Sequence, residues 1–379
     1  MGKLKLHPSH TDPGAALRLA RFLLKWFKTG KFPYDVPEPG MAIVRHAERF
    51  GIGGCPEDMA IFLFCHALVD VGTDSWLLAA KMARTYKEWE DIFLPFFFVA
   101  ERDGAEHKVS RRVVEYLKDE FDHYLWISLA SSWRKCMTVL QDEWGGSVRE
   151  LLNGGKNART IYELLTATRD TSDGEGEKRK QKIFHGMGPK VARLMIARQV
   201  AAGICDPSGL SELGPPIDVH GLVLSFGAGV MVFDRYQIES SSTVVSALHA
   251  VWSEVCAEHE LDIVALSQAM WLWGRQMCRP LRCNHCPLYN KDHDHQAPWP
   301  KHKRKPVCFG RISSGGYYEQ KGPKRINPYV VEPQPILPFR DLPELQTPGI
   351  KVTNEDRQVL SIVLGKSGTT LALPGAFEP

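Results

Sequence analysis

Helical periodicity is the feature of this sequence that most constrains its fold. Apolar residues recur at three- and four-residue spacing, as in Leu17, Ala20 and Leu24, whereas convincing alternating strands are scarce. This spacing places apolar side chains on one face of a helix. It predicts several long helices, over Ala15–Lys28, Asp58–Val71, Ser75–Tyr86, Val191–Ala202, Ser241–Glu258 and Asp262–Met277. The sequence therefore predicts a mainly α fold, independently of any motif.

Two stretches are predicted to lie outside the packed helices. Asp170–Lys182 is polar, charged and interrupted by glycine, which is typical of a loop. The segment from Pro298 to Pro348 holds ten of the 25 prolines of the chain, which favours an extended segment over a packed helix.

Composition limits the class of protein. The chain has 379 residues, of which 44% are hydrophobic and 24% charged, as in an ordinary globular protein. Its N-terminus lacks the apolar core of a signal peptide, and its longest apolar stretches are too short for a membrane span. We therefore expect a cytoplasmic protein without a membrane partner, in which the nine cysteines do not form a disulfide framework.

Net charge alone does not indicate nucleic-acid binding, because it is only +3. The distribution of the basic residues is more informative. One cluster contains Lys301, Lys303 and Arg304, and another lies at Lys178–Lys182. Such clusters supply phosphate contacts in some proteins and are solvated loops in others, and both interpretations are open here.

The segment Gly186–Ala192 joins a basic stretch of the chain to a helix. Gly186 and Gly188, one residue apart, allow a tight turn and a close approach of a partner to the backbone. The helix that follows starts with unpaired N–H groups, which form an anion site that a DNA phosphate can occupy. The alternative is a simple tight turn in which Lys190 is a surface lysine. The positive charge of a lysine on the first helical turn is unfavourable beside the positive end of the helix dipole. This mildly favours a functional role for Lys190 over that of a surface lysine.

A second segment, Ile217–His220, opens another helix with Asp218. Asp218 can be a plain N-cap. A carboxylate that is held by capping can also stabilise a positive charge or accept a proton, so capping and catalysis are compatible.

Together these two segments resemble the signature of the helix-hairpin-helix DNA glycosylases, the superfamily of endonuclease III and 8-oxoguanine glycosylase. Lys190 matches the catalytic lysine of the bifunctional members, and Asp218 matches the catalytic aspartate. The two residues are 28 positions apart, more than is usual in the family, and the glycine- and proline-rich stretch Gly203–Pro216 accounts for the excess. The resemblance implies base excision by Lys190 and Asp218, with lyase activity through a Schiff base on Lys190.

A cysteine-rich segment follows the last predicted helix. Cys283 and Cys286 are spaced so that two thiolates reach one metal from a single turn, and Cys278 can supply a third. The segment resembles the iron–sulfur loop of endonuclease-III-like enzymes, with altered spacing and with Cys308 as the only downstream thiol. The resemblance implies a structural [4Fe–4S] cluster on Cys278, Cys283, Cys286 and Cys308. Zinc, with or without a histidine ligand, and an empty loop are the alternatives.

The resemblance covers roughly residues 58–290 and implies two helical lobes that flank a DNA-binding cleft. The expected organisation is an N-terminal segment on the second lobe (1–55), a helical barrel lobe ending in the hairpin motif (56–205), a second lobe with the metal-bound cysteine loop (206–310) and a proline-rich C-terminal extension (311–379).

The expected partner is double-stranded DNA with a damaged, mismatched or modified base, bound by a monomer in the nucleoid. Two other functions are compatible with the same residues. One is a monofunctional glycosylase, in which Asp218 activates water and Lys190 binds phosphate. The other is a non-catalytic DNA-binding module that retains the hairpin.

Overall fold

The computed structural model of the chain describes residues 11–31, 33–34, 42–70, 75–98, 110–121, 125–153, 157–172, 178–228, 230–231 and 241–278. Helices account for 74% of these residues, so the predicted mainly α fold is confirmed. The described residues up to Tyr34 and from Leu210 onwards form one compact unit, here the first unit. Those from Ala42 to Gly209 form the second unit.

The helices and strands of the described residues follow one another as α1 (Pro13–Lys28), α2 (Ala42–Arg49), α3 (Pro56–Val69), α4 (Ser75–Thr85), α5 (Arg111–Glu115), α6 (Trp126–Trp144), α7 (Val148–Asn153), α8 (Ala158–Thr166), β1 (Thr168–Ser172), β2 (Lys178–Lys182), α9 (Pro189–Ala201), α10 (Val219–Gly227), α11 (Ser241–Glu258) and α12 (Ile263–Trp273). Short 3₁₀ turns lie at Ile52–Gly54, Glu90–Phe93 and Leu210–Leu213, and π turns extend α5 and α12.

In the first unit, α1 packs against α11 and α12. Asp12 starts α1 because its carboxylate accepts the Ala15 amide at 3.0 Å, and Pro13 fits the first helical position. Trp273 on α12 is fully buried and contacts the ring of Phe22 on α1 edge-on at 5.4 Å between centroids. These contacts bury the apolar face of α1 that the sequence pattern predicts.

In the second unit, α3 is the central helix and contacts α9, α7 and α6. All its residues from Met59 to Val69 are buried, which suits a helix that is apolar on every side. An aromatic cluster packs beside it, in which Phe93 contacts Phe62 and Trp133. This core fixes the C-terminal end of α3 and the N-terminal end of α9, where Lys190 lies.

The segment predicted as a loop over Asp170–Lys182 contains two strands, so that prediction is wrong in part. β1 and β2 pair antiparallel, with Thr168 opposite Lys182 and Ser172 opposite Lys178. The Ile183 amide donates to the Ala167 carbonyl at 3.0 Å and continues the pairing towards α9. Both strands are polar on each face, so the alternation of apolar residues that marks a half-buried strand is missing from the sequence.

The described residues before Pro56 are divided between the two units. Helix α1 belongs to the first unit, whereas α2 packs against α4 in the second. In the described part of the chain, no helix combines the length and the apolar character that crossing a membrane requires.

Candidate active site

The turn before α9 has a backbone conformation at Gly186 that strongly favours glycine. Its φ is +86°, in the left-handed region, and a Cβ there would lie 3.1 Å from Ser132 Oγ. The turn closes through the Gly188 amide, which donates to the Gly186 carbonyl at 2.9 Å. Phe184 anchors its start, because this buried ring contacts Phe64 and Trp144. Gly186 and Gly188 thus lie in a tight turn, as predicted, whereas their contact with phosphate stays a prediction.

The turn is also fixed to α6 by polar contacts. Ser132 Oγ lies 2.9 Å from His185 Nδ1, and the Cys136 thiol donates to the His185 carbonyl at 3.0 Å. Burial, together with the cations of Lys135 and Lys182, lowers the pKa of His185. The ring therefore prefers its neutral form, which suits a residue that holds the turn by hydrogen bonds.

Lys190 lies on the first turn of α9, which starts at Pro189 after the N-cap residue Gly188. The amides of Lys190 and Val191, in the first turn, have no helical carbonyl to bind, and Gly188 has no side chain that could cap them. The half-buried Lys190 side chain points back to the end of α3, where Nζ donates to the Asp70 carbonyl at 3.2 Å. The ammonium and these two amides place positive charge at the N-terminal end of α9.

Asp70, whose carbonyl accepts the Lys190 hydrogen bond, belongs to a buried polar network. The Asp70 carboxylate forms an ion pair with Arg198 and accepts the Ser75 hydroxyl at 2.9 Å. Arg198 also donates to Ser75 Oγ at 2.7 Å and to His66 Nδ1 at 2.8 Å. All four residues are at most 7% exposed. The network ties the end of α3 to the start of α4 and to α9.

The charges in this network follow from burial and from Arg198. Burial alone would raise the pKa of the Asp70 carboxyl, but the cations of Arg198 and Lys190 hold it below its usual range. Burial, with the cation of Arg198, lowers the pKa of His66 to about 3, so the imidazole is neutral. Since a guanidinium only donates, His66 Nδ1 accepts, and Nε2 donates to the Ser75 carbonyl at 3.0 Å.

Asp218 in the first unit precedes α10 and caps it. Its Oδ1 accepts the amides of His220 and Gly221, each at 2.9 Å. The described contacts of this half-buried carboxylate involve Oδ1, which leaves Oδ2 as the oxygen that can face a substrate. His220 packs against Gly274, where a Cβ would overlap the Cβ of His220. The N-cap that the sequence allows is therefore present, in a form that orients the carboxylate.

Lys190 and Asp218 belong to different compact units. Each is placed by contacts within its own unit, Lys190 by the end of α3 and Asp218 by the first turn of α10. Their action as a pair stays a prediction from the sequence motif.

The predicted metal ligands lie mostly outside the described residues. This is true of Cys283, Cys286 and Cys308, of the basic residues Lys301, Lys303 and Arg304, and of the side chain of Cys278. Among the described residues, no group of three or more His, Cys, Asp or Glu could hold a metal ion. Gln276, two residues before Cys278, is 1% exposed, and neither amide atom has a hydrogen-bond partner in this part of the chain. The four thiolates remain a donor set suited to a [4Fe–4S] cluster or to zinc.

Sequence reasoning did not predict the roles of Asp70 and Arg198. The sequence feature that could have identified them is a charged residue inside or next to an apolar pattern. Asp70 directly follows the apolar run of α3, and Arg198 lies among residues of α9 that are buried. A charge in such a position usually has a buried partner.

Comparison with known proteins gives no family. No family model matches the chain, and a search of curated proteins gives no match. The resemblance to the glycosylases therefore depends on the motifs alone.

Proposed function

We propose that the protein is a DNA glycosylase that removes a damaged, mismatched or modified base and then cleaves the abasic site through Lys190. The observation that carries the proposal is the position of Lys190 on the first turn of α9. It directly follows a turn in which Gly186 has a positive φ and a Cβ at this position would lie only 3.1 Å from Ser132 Oγ. Such a turn lets a DNA backbone approach the amides of the helix and brings the lysine to the same place.

The proposed chemistry uses the two residues differently. Breakage of the N-glycosidic bond builds positive charge on the sugar, which the carboxylate of Asp218 stabilises. The neutral Lys190 amine attacks C1′, the bond to the base breaks, and the base leaves with the electron pair and takes up a proton. Asp218 accepts a proton from the attacking amine. Opening of the sugar ring then gives a Schiff base, loss of a C2′ proton expels the 3′ phosphate, and water releases Lys190.

The target nucleotide must first leave the DNA stack, at a cost of about a few kcal/mol. The proposal includes the predicted [4Fe–4S] cluster on the four cysteines, or zinc in its place. In either case the metal would hold the basic loop of Lys301, Lys303 and Arg304 against DNA and would take no part in the bond-breaking steps.

One observation favours a monofunctional enzyme as the second candidate. Lys190 Nζ already donates to the Asp70 carbonyl, next to a carboxylate that attracts its positive charge. An amine in this setting must lose a proton and this hydrogen bond before it can attack C1′. In the second candidate Lys190 stays charged and binds a phosphate, and Asp218 activates a water molecule.

Borohydride trapping on DNA with an abasic site tests the role of Lys190. Reduction converts the Schiff base into a stable secondary amine, so the wild-type protein should form a covalent adduct with the DNA. Lys190→Gln should form none. Lys118→Gln is the matched control, because Lys118 is an exposed lysine of the same unit, and it should be trapped like the wild type.

The outcomes separate the two candidates. An adduct with Lys190→Gln at the wild-type level would contradict attack by Lys190. No adduct with the wild-type protein, together with release of the free base from a modified duplex, would favour the monofunctional enzyme. Circular dichroism of each variant checks that the fold is retained.

A further inference from the structure

Strand β2 concentrates positive charge next to the candidate site. It contains Lys178, Arg179, Lys180 and Lys182, and the paired strand β1 adds Arg169. These ten residues include five basic side chains and one acidic one, whereas the whole chain has a net charge of only +3. The hairpin is therefore far more basic than the protein as a whole.

The pairing register gives these charges little internal compensation. Lys182, Lys180 and Lys178 lie opposite Thr168, Asp170 and Ser172, so one cross-strand partner out of three is acidic. Arg179 lies opposite Thr171. Opposite charges across strands stabilise a hairpin and like charges oppose it. Cross-strand pairing thus leaves most of these charges to be balanced from outside the hairpin, as Glu143 of α6 does for Arg169 at 2.7 Å.

The basic strand is continuous with the turn before α9. Lys182 Nζ donates to the Met187 carbonyl at 3.2 Å and lies 3.7 Å from the position that a Cβ on Gly188 would occupy. The amides at the start of α9 follow Gly188 directly. The last lysine of β2 therefore lies beside the helix end that carries Lys190.

The spacing along β2 suits a polyanion with regular charges. Alternate residues share one face of a strand and lie about 6.6 Å apart, so Lys178, Lys180 and Lys182 extend over about 13 Å. A DNA strand carries one phosphate per about 3.4 Å of helix axis. The spacing of these three positions therefore matches every second phosphate of one strand.

We infer that β2 and the start of α9 form one phosphate-binding surface, on which β2 contacts the backbone of the DNA duplex next to the nucleotide that Lys190 approaches. This inference rests on the proposed function, and it adds a contact surface to it. The hairpin would fix the position of the duplex without reading its sequence, because phosphate contacts carry no base information.

The test is the salt dependence of binding to an unmodified DNA duplex, measured by fluorescence anisotropy. The variant is Lys178→Gln/Arg179→Gln/Lys180→Gln, which keeps Lys182 and its contact with the turn. The slope of log affinity against log salt should become smaller by about 0.9 for each phosphate that the variant no longer neutralises, or by about two to three in total.

A matched control removes the same charge elsewhere in the second unit. Lys87→Gln/Lys118→Gln/Arg149→Gln changes two lysines and one arginine at exposed positions. Its slope should equal that of the wild type. Equal slopes in both triple variants would overturn the inference, because the hairpin charge would then act only through the net charge.

The remaining outcomes separate this inference from the proposed function. If the hairpin variant keeps the wild-type slope but aggregates, β2 protects a strand edge, which overturns the inference. A second outcome is that the salt slope is smaller in the hairpin variant than in the wild type, while the wild type releases no base from any modified duplex. The proposed function then fails and the inference stands. A wild-type protein that does not bind the duplex at low salt would overturn both.

Discussion

A buried ion pair with Arg198 fixes the position of Asp70, the residue at the end of α3 that accepts the Lys190 hydrogen bond. The Asp70 carbonyl accepts the Lys190 ammonium, while the carboxylate of the same residue pairs with Arg198. Loss of one partner of a buried ion pair costs about 3–5 kcal/mol, because the other charge is left without compensation. The position of the Asp70 carbonyl, and with it the resting position of Lys190, therefore depends on Arg198.

Two buried histidines of the second unit predict a loss of stability in acid. Burial first, and then nearby arginines, lower the pKa of His46 and His66 to about 3, from 6.5 for an exposed histidine. Between these values the unfolded chain binds protons that the folded chain does not. The free energy of unfolding should therefore fall as the pH drops from 6.5 towards 4.5, by about 1.4 kcal/mol per pH unit for each histidine. Urea unfolding at several pH values measures this.

His46→Leu is the matched variant for this prediction. Neither ring nitrogen of His46 has a hydrogen-bond partner among the described residues, so the change removes a titrating group without breaking a described bond. Its stability should decrease about half as steeply with falling pH as that of the wild type. A wild-type stability that does not change between pH 6.5 and 4.5 would contradict the neutral, buried state of both histidines.

At the scale of elements, the turn before α9 depends on one glycine for two reasons. Gly186 has a positive φ, and a Cβ there would lie 3.1 Å from Ser132 Oγ, which itself contacts His185. A side chain at this position would push on the contact that ties the turn to α6. The geometry of the turn and the start of α9 are therefore coupled to the packing of α6.

Gly186→Ala should destabilise the protein more than Gly145→Ala. Both glycines have a positive φ, so a left-handed alanine costs about 1–2 kcal/mol in both variants. A Cβ at Gly145 meets nothing within 4 Å, whereas at Gly186 it lies 3.1 Å from Ser132 Oγ. Overpacking should add about 1–3 kcal/mol to the loss in Gly186→Ala, as measured by urea unfolding. Equal losses in the two variants would show that the contact with Ser132 is not tight.

At the scale of the whole molecule, the helices could be predicted because their signal is local. The apolar period of α11 predicts the bounds Ser241–Glu258 that the structure has. Lys190 and Asp218 could likewise be assigned to helix starts, since glycine, proline and aspartate determine such starts through local backbone geometry.

Other features depend on contacts between distant segments and have no local signal. Asp70 and Arg198 are 128 positions apart and meet only because α3 and α9 pack together. The strands β1 and β2 are polar on both faces, so the pairing of their backbones leaves no apolar pattern to recognise. The division of the N-terminal segment also follows from packing, since α2 is covered by α4.

In the proposed function, this chain excises a base from DNA with Asp218 as an essential carboxylate. The most direct measurement is single-turnover release of free base from duplexes that each carry one damaged, mismatched or modified base, by the wild type and by Asp218→Asn. Asparagine also caps helices well, so the variant should keep α10 and its binding to the duplex. The wild type should release the base from a member of the panel, and Asp218→Asn should do so about 10²–10⁴-fold more slowly. Release at the wild-type rate by the variant, or binding of all duplexes by the wild type without release of any base, would contradict the proposed function.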